Sequence, residues 1–131
     1  MLSTTVNAQT SPGSTWDRFH SAIAQSDLAA ATSLLAVDVQ IFESGFVERS
    51  RDEYLARHFE ADAKFAKSVT RKVIRRSEQT SGPIAMVLDE TQIDGSYEGR
   101  PIKLIGTETA VLRLEGETWR IVHIHWSSRK P

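Results

Sequence analysis

The sequence contains no cysteine, which excludes disulfides, thiolate metal sites and cysteine nucleophiles. It also has no apolar run approaching the ~20 residues that a membrane-spanning helix needs. Its charges nearly cancel, since 16 Lys and Arg stand against 17 Asp and Glu. This balance gives no electrostatic reason to expect a nucleic acid or an anionic membrane as partner. We therefore expect neither partner.

The remaining composition is that of an ordinary globular protein, with 40% hydrophobic residues in a chain of 131. We expect a flexible tail over residues 1–14, which is rich in Ser and Thr, and one domain over residues 15–128. Val6-Asn7-Ala8 resembles the end of a secretory signal, but the apolar segment before it is missing. The expected location is the cytoplasm, or the periplasm if the natural chain carries a signal sequence before Met1.

Helix signals occupy the first half of the chain. Ser14 followed by Asp17 predicts the start of a first helix, and Asp27 predicts the start of a second. Ser50 with Glu53 forms the capping box of a third helix, on which aromatic and alanine residues recur at helical spacing. We therefore predict three N-terminal helices.

From residue 68 onward the apolar period changes from helical spacing to two, which indicates strands. Asp94-Gly95 and Glu98-Gly99 predict a hairpin connection. The order of helices and strands favours an α+β fold, with the helices packed on one face of a strongly curved, mixed or antiparallel sheet. Such a sheet leaves room for an apolar pocket at its open end. The predicted strands cover residues 39–43, 68–77, 84–93, 102–114 and 119–127.

The last strand places two of the four histidines two residues apart. Residues with this spacing share a face of a strand, so His123 and His125 are predicted to point the same way, together with Trp119 and Ile121. The opposite face is predicted to carry Val122, Ile124 and Trp126.

Three stretches of the sequence, residues 26–43, 49–54 and 116–127, resemble the nuclear transport factor 2-like (NTF2-like) superfamily, which includes ketosteroid isomerases and SnoaL-like cyclases. The resemblance extends over Trp16–Ser127. It implies a cone-shaped α+β fold. The Val-His-Ile-His ending is also similar to the association domain of calmodulin-dependent kinases, an oligomeric hub with this fold. The superfamily contains enzymes as well as binding proteins, so the resemblance alone leaves the function open.

The resemblance to ketosteroid isomerase extends to individual site positions. It implies that Glu43 occupies the position of the general base. The position of the oxyanion tyrosine falls on Phe19, and that of the second oxyanion donor falls near Ala110. Neither residue donates a hydrogen bond, so steroid-type isomerisation is not expected.

Two kinds of chemistry remain open for the histidines. His58, His123 and His125 are candidate ligands of a divalent metal, with Glu43 or Asp62 completing the site. The alternative is that the histidines are hydrogen-bonded residues of a pocket or an interface. Apart from this metal, no cofactor is expected.

In metal-free acid–base chemistry, Glu43 is the predicted base, and His123 or His125 the acid or oxyanion donor, with Tyr54 as a further donor. Alternatively, Glu43 forms an ion pair with an arginine, either Arg49 or Arg51.

Three other groups have simpler interpretations. His58 and Asp62, one turn apart, form either an orienting pair or a surface contact. His20 is expected at the solvent edge of its helix. Basic residues in the stretch 71–76 alternate between the two faces of a strand, which favours a solvated strand over an RNA site.

We therefore predict a homodimeric protein that binds a small, largely apolar molecule. Whether it is an enzyme of the isomerase, cyclase or dehydratase kind is left open; the alternatives are a non-catalytic binding or assembly module and a metal-dependent enzyme. The predicted pocket residues are Glu43, Tyr54, His58, His123 and His125, with Phe19, Asp62 and Trp119 as further lining residues.

Overall fold

The computed structural model describes residues 11–131, which fold into four helices and six strands. The elements are α1 (Pro12–Ala24), α2 (Leu28–Leu34), β1 (Leu35–Glu43), β2 (Phe46–Glu48), α3 (Arg51–Arg57), α4 (Phe59–Ser68), β3 (Val69–Ser81), β4 (Ile84–Tyr97), β5 (Arg100–Glu115) and β6 (Thr118–Arg129). The predicted α+β fold is confirmed. The first ten residues of the predicted tail lie outside the described residues, and its last three residues belong to α1.

The helices begin at side-chain caps. Ser11 Oγ accepts a hydrogen bond from the Ser14 amide at 3.2 Å, so α1 begins three residues earlier than predicted, with a proline at its first position. Asp27 caps α2 as predicted, because its Oδ1 accepts from the Ala30 amide at 3.0 Å. The cap residues therefore set where both helices enter the domain.

The predicted capping box at Ser50 is confirmed. Ser50 Oγ accepts from the Glu53 amide at 3.1 Å, and Glu53 Oε2 accepts from the Arg49 amide at 3.1 Å. The helix is interrupted at His58, whose φ of −121° departs from helical geometry. The third predicted helix is therefore two helices, α3 and α4.

One mixed sheet contains all six strands, in the order β2-β1-β6-β5-β4-β3. β1 runs parallel to β6, and every other neighbouring pair is antiparallel. β4 continues through Asp94-Gly95, so the hairpin turn lies only at Glu98-Gly99, where both residues have positive φ. The three-residue β2 was not predicted.

A bulge in β6 changes which side chains share a face. Leu112 pairs with Ile121 and Val111 pairs with His123, so Val122 is an extra residue between the two pairs. Ile121 therefore keeps its inner position although His123, two residues later, lies on the outer face.

The prediction that the two histidines of β6 share a face with Trp119 and Ile121 is wrong, because the extra residue shifts the alternation by one. Trp119 packs against the core from the inner face. His123 and His125 lie on the outer face, where both rings contact Phe42.

The helices cover the inner face of the sheet, and the core lies between the two layers. None of the helices in residues 11–131 is long and apolar enough to span a membrane. The largest fully buried side chains are Trp16, Tyr54, Phe19, Leu35, Leu112, Ile121 and Ile124.

Candidate functional site

A cavity of about 640 Å³ opens between the inner face of the sheet and helices α1 and α4. This volume suits a small organic ligand. Its apolar wall consists of Ile23, Ala24, Phe65, Ala66, Val69, Ile93, Leu104 and Trp126. Its charged or titratable side chains are Asp17, His20, Glu43, Asp62, Arg71 and Glu108.

His20 and Glu108 form the first titratable group of the cavity. His20 Nε2 lies 2.9 Å from Glu108 Oε1, and the side chains are 18% and 5% exposed. Burial lowers the pKa of His20, although the neighbouring carboxylate raises it. His20 is thus a neutral imidazole at pH 7, in contact with a buried carboxylate.

Glu108 is held in its ionised form by several donors. Arg71 donates to both carboxylate oxygens, from Nε at 2.8 Å and from Nη2 at 3.1 Å, and Trp126 Nε1 donates at 3.2 Å. Burial alone would raise the pKa of Glu108, but the contacts with His20 and Arg71 outweigh burial and bring the pKa well below its usual range.

Asp89 extends this charged group away from the cavity. It accepts hydrogen bonds from Trp16 Nε1 at 3.0 Å, from Arg71 Nη2 at 2.9 Å and from Arg76 Nε at 2.7 Å. Arg76 also donates to Asp17 at 2.7 Å. Because Asp89 is buried and bonded from both sides, it fixes the position of Arg71 beneath the cavity.

Glu43 and Asp62 form a second titratable group. Tyr54 donates from its hydroxyl to Asp62 Oδ2 at 2.8 Å. Partial desolvation by the cavity wall raises the pKa of Glu43, which stands at the exposed end of β1, and that of half-buried Asp62, and the charge of Asp62 raises the pKa of Glu43 further. The ion pair that was the alternative role of Glu43, with Arg49 or Arg51, is not formed among the described residues.

His58 does not pair with Asp62. Its Nδ1 contacts Glu48 Oε1, and Glu48 is a buried residue of β2. The other oxygen of Glu48 has no hydrogen-bond partner among the described residues. His58, Glu48 and Tyr54 line a much smaller cavity that adjoins the main one at Glu43 and Asp62.

The three histidines predicted to bind a metal do not come together. His58 lies on the inner side of the sheet, whereas His123 and His125 lie on its outer face, and His123 Nδ1 is 2.8 Å from the Gln40 carbonyl oxygen. Residues 11–131 contain no group of three or more His, Asp or Glu side chains placed to hold a metal ion. The sheet itself separates the proposed ligands.

Of the other predicted pocket residues, Glu43 and Asp62 line the main cavity, and Tyr54 and His58 line the small one. Phe19 lies in the core, fully buried, and stacks on Trp126. Trp119 packs against the core. Neither of these two side chains lines the main or the small cavity, so their predicted placement is corrected, as is that of His123 and His125.

His20, Arg71 and Glu108 were missed as site residues. A signal for Glu108 exists in β5, where it occupies the same phase as Gly106, Ala110 and Leu112. A charged residue in an otherwise apolar phase is buried with its partners or lines a site. No local pattern distinguishes His20 from a surface residue.

The sequence profile of the SnoaL-like domain matches residues 13–130. The chain belongs to the SnoaL-like family. None of the curated protein sequences matches it. The NTF2-like resemblance of the sequence is thereby confirmed.

Solved structures similar to this SnoaL-like chain include a "putative ketosteroid isomerase" of Shewanella frigidimarina, with 34% identity, 88% of this chain and 93% of that chain covered, and a TM-score of 0.85. The CaMKII hub of S. rosetta has 21% identity, with 88% and 92% covered and a TM-score of 0.76. An NTF2-like superfamily protein of Salmonella enterica has 18% identity, with 89% and 87% covered and a TM-score of 0.75. The last two similarities concern the fold alone.

Proposed function

We propose that this SnoaL-like chain binds a small, largely apolar molecule in the main cavity and transfers a proton on it. The observation that supports this most directly is that a neutral imidazole and two carboxyl groups of raised pKa line the same apolar cavity. Groups whose pKa values are shifted from their ordinary values in a ligand-sized cavity are typical of proton-transfer sites.

His20 is the proposed proton acceptor. Because it is neutral at pH 7, its imidazole can take a proton from a carbon next to a carbonyl group. Glu108 then stabilises the imidazolium that forms, since the carboxylate remains ionised 2.9 Å away. Glu43 and Asp62 supply the second titratable group of the cavity.

Arg71 is the proposed donor to a developing oxyanion. The positions at which ketosteroid isomerase has such donors hold Phe19 and Ala110, both buried and apolar. Arg71 lines the cavity, and its Nη1 has no partner within the described part of the chain. A guanidinium N–H in this position stabilises an enolate oxygen.

The test is hydrogen–deuterium exchange at carbon. A panel of apolar ketones is incubated in D2O with the protein, and α-deuteration is followed by mass spectrometry. His20→Gln and Glu43→Gln are each expected to slow the exchange by about 10² or more. The matched controls are His125→Gln on the outer face and Glu117→Gln in the β5–β6 turn. Exchange that persists unchanged in both cavity variants contradicts the proposal.

A second candidate is a non-catalytic binding or assembly module. Trp126 lines the cavity, so its fluorescence reports a ligand there. Saturable quenching without α-deuteration of any compound favours this candidate.

We also propose that the chain forms a homodimer through the outer face of its sheet, where Phe42, His123 and His125 form an aromatic cluster.

A further inference from the structure

We propose that Tyr54 is a positioning residue that keeps the negative charge on Asp62 and leaves the transferable proton on Glu43. Glu43 is then the acid of the cavity, facing the base His20. This role deepens the proposed function and rests on it. The order in which the two carboxyl groups ionise is nevertheless a property of the free protein, so it can be measured without a substrate.

Tyr54 is a buried residue whose hydroxyl faces Asp62. Its side chain is 1% exposed, its hydroxyl lies 2.8 Å from Asp62 Oδ2, and its ring is held between Phe19 and Phe59 at centroid distances of 6.3 and 6.4 Å. Burial and the charge of Asp62 raise the pKa of Tyr54, so the phenol keeps its proton. Tyr54 is therefore a permanent donor, and a donor stabilises the charged form of its acceptor.

The position of Asp62 in its helix acts in the same direction. Asp62 belongs to the first turn of α4, where the unpaired backbone N–H groups of a helix favour negative charge. Its own amide donates to the His58 carbonyl at 2.9 Å, which fixes its place in the turn.

Glu43 has neither a hydrogen-bond donor at its carboxyl group nor a position in the first turn of a helix. It is the last residue of β1, and no hydrogen bond or ion pair reaches its carboxyl group from residues 11–131. Both carboxyl groups line the same two cavities, so ionisation of one disfavours ionisation of the other. The first proton to leave is the one from the carboxyl group that has a donor, which is Asp62.

The other titratable and charged groups around this pair do not reverse the order. Glu48 and His58 contact each other, and they act in opposite directions on the pKa of Asp62, which His58 lowers and Glu48 raises. The charge of Glu108 acts on Glu43 and favours its protonated form. The groups that face the pair are Glu48 on β2, His58 between α3 and α4, Asp17 and His20 on α1, Arg71 on β3 and Glu108 on β5.

The proposed assignment places an acid, Glu43, and a base, His20, together in one cavity. His20 takes a proton from carbon, and Glu43 gives one to an oxygen or to a second carbon of the same molecule. The molecule keeps its number of protons, and the protein returns to its starting state when the imidazolium of His20 and the carboxylate of Glu43 exchange protons with water.

The experiment is a pH titration of side-chain carboxyl groups by ¹³C NMR in the full chain. Glu43→Gln and Asp62→Asn assign the two resonances. In the wild-type protein Asp62 is expected to ionise at lower pH than Glu43. In Tyr54→Phe, which keeps the ring, the midpoint of Asp62 is expected to rise and that of Glu43 to fall. Tyr97→Phe is the matched control and is expected to move neither midpoint.

Ionisation of Glu43 before Asp62 in the wild-type protein overturns the proposal, and so do unmoved midpoints in Tyr54→Phe. If Tyr54→Phe does not fold, the wild-type order decides. If no ketone is deuterated, the proposed function fails while the titration still tests the charge order. If a ketone is deuterated, Tyr54→Phe is expected to shift the alkaline limb of the rate profile to lower pH.

Discussion

Glu108 illustrates how a single carboxylate turns the inner face of a sheet into a chemical site. Its strand neighbours on that face are Gly106 and Ala110, which leave space for the side chains that reach it from other elements. His20 comes from α1, Arg71 from β3 and Trp126 from β6. A buried carboxylate without such partners would be protonated, so the ionised state of Glu108 depends on all three elements being in place.

The charge of Glu108 determines the titration of His20. Glu108→Gln removes a carboxylate that raises the pKa of His20 and leaves the positive charge of Arg71, which lowers it. We therefore expect the imidazole of His20 to titrate at still lower pH in this variant. The midpoint is measured by ¹H–¹⁵N NMR of the imidazole nitrogens, with Glu117→Gln as the carboxylate control. A midpoint that rises in Glu108→Gln contradicts the described contact.

The titration of His20 also determines the sign of the pH dependence of folding stability. The folded-state pKa of His20 is below its unfolded value, so between the two values the unfolded chain binds more protons. The contribution of His20 to stability is complete above the unfolded pKa of ~6.5 and decreases as the pH falls towards the folded value. Glu108 acts in the same direction at more acidic pH.

Secondary-structure elements were predictable where their signals are local. The capping box at Ser50 and the alternation of β5 depend on residues a few positions apart, and both are found in the structure. The bulge at Val122 is not encoded in the alternation of β6, because it depends on pairing with β5. That single extra residue moved the two strand histidines out of the predicted pocket.

The same limit explains which site residues could be predicted. Glu43 was found through a resemblance that spans the whole domain, and Asp62 through its helical spacing. Arg71 has the same alternation as any solvated strand residue, and only the distance to Glu108, 37 positions later, gives it a role. A site built from α1, β3 and β5 is visible only after the tertiary contacts are formed.

A substitution at Gly106 tests how closely β4 and β5 pack in the wall of the cavity. A Cβ at this position would lie 2.4 Å from Thr91 Oγ1, and Thr91 is 1% exposed. Gly106→Ala is therefore expected to destabilise the protein by about 1–3 kcal/mol. The free energy of unfolding is measured by urea denaturation at constant m-value.

Thr91→Ala provides the control for this steric argument. The Thr91 hydroxyl has no hydrogen-bond partner among the described residues, so its removal alone is expected to cost little. In the Thr91→Ala background, Gly106→Ala is expected to cost much less than in the wild-type protein. Additive effects of the two substitutions would show that the cost has another origin.

At the scale of the whole molecule, the helices of residues 11–131 cover one face of the sheet and leave the other face open. The outer face carries the cluster of Phe42, His123 and His125, in which Phe42 lies 4.8 Å from the His123 ring and 5.9 Å from the His125 ring. Aromatic side chains on a half-buried sheet face are typical of an interface between subunits. The two faces thus have separate proposed roles, with the ligand on the inner face and the second copy on the outer one.

This separation predicts that dimerisation and ligand binding can be disrupted independently. Phe42→Glu places a charge in the centre of the outer face, and we expect it to reduce the mass in solution from twice the chain mass of 14.6 kDa to that of a single chain. The mass is measured by light scattering during size-exclusion chromatography. Phe46→Glu is the matched control, because Phe46 pairs with Glu43, lines the small cavity on the inner side of the sheet and is 69% exposed. It is expected to leave the mass at two chains. A monomeric wild-type protein, or a dimer that persists in Phe42→Glu, would show that the outer face does not join the subunits. Loss of the dimer in Phe42→Glu, with unchanged quenching of Trp126 fluorescence by a bound ligand, would support separate roles for the two faces.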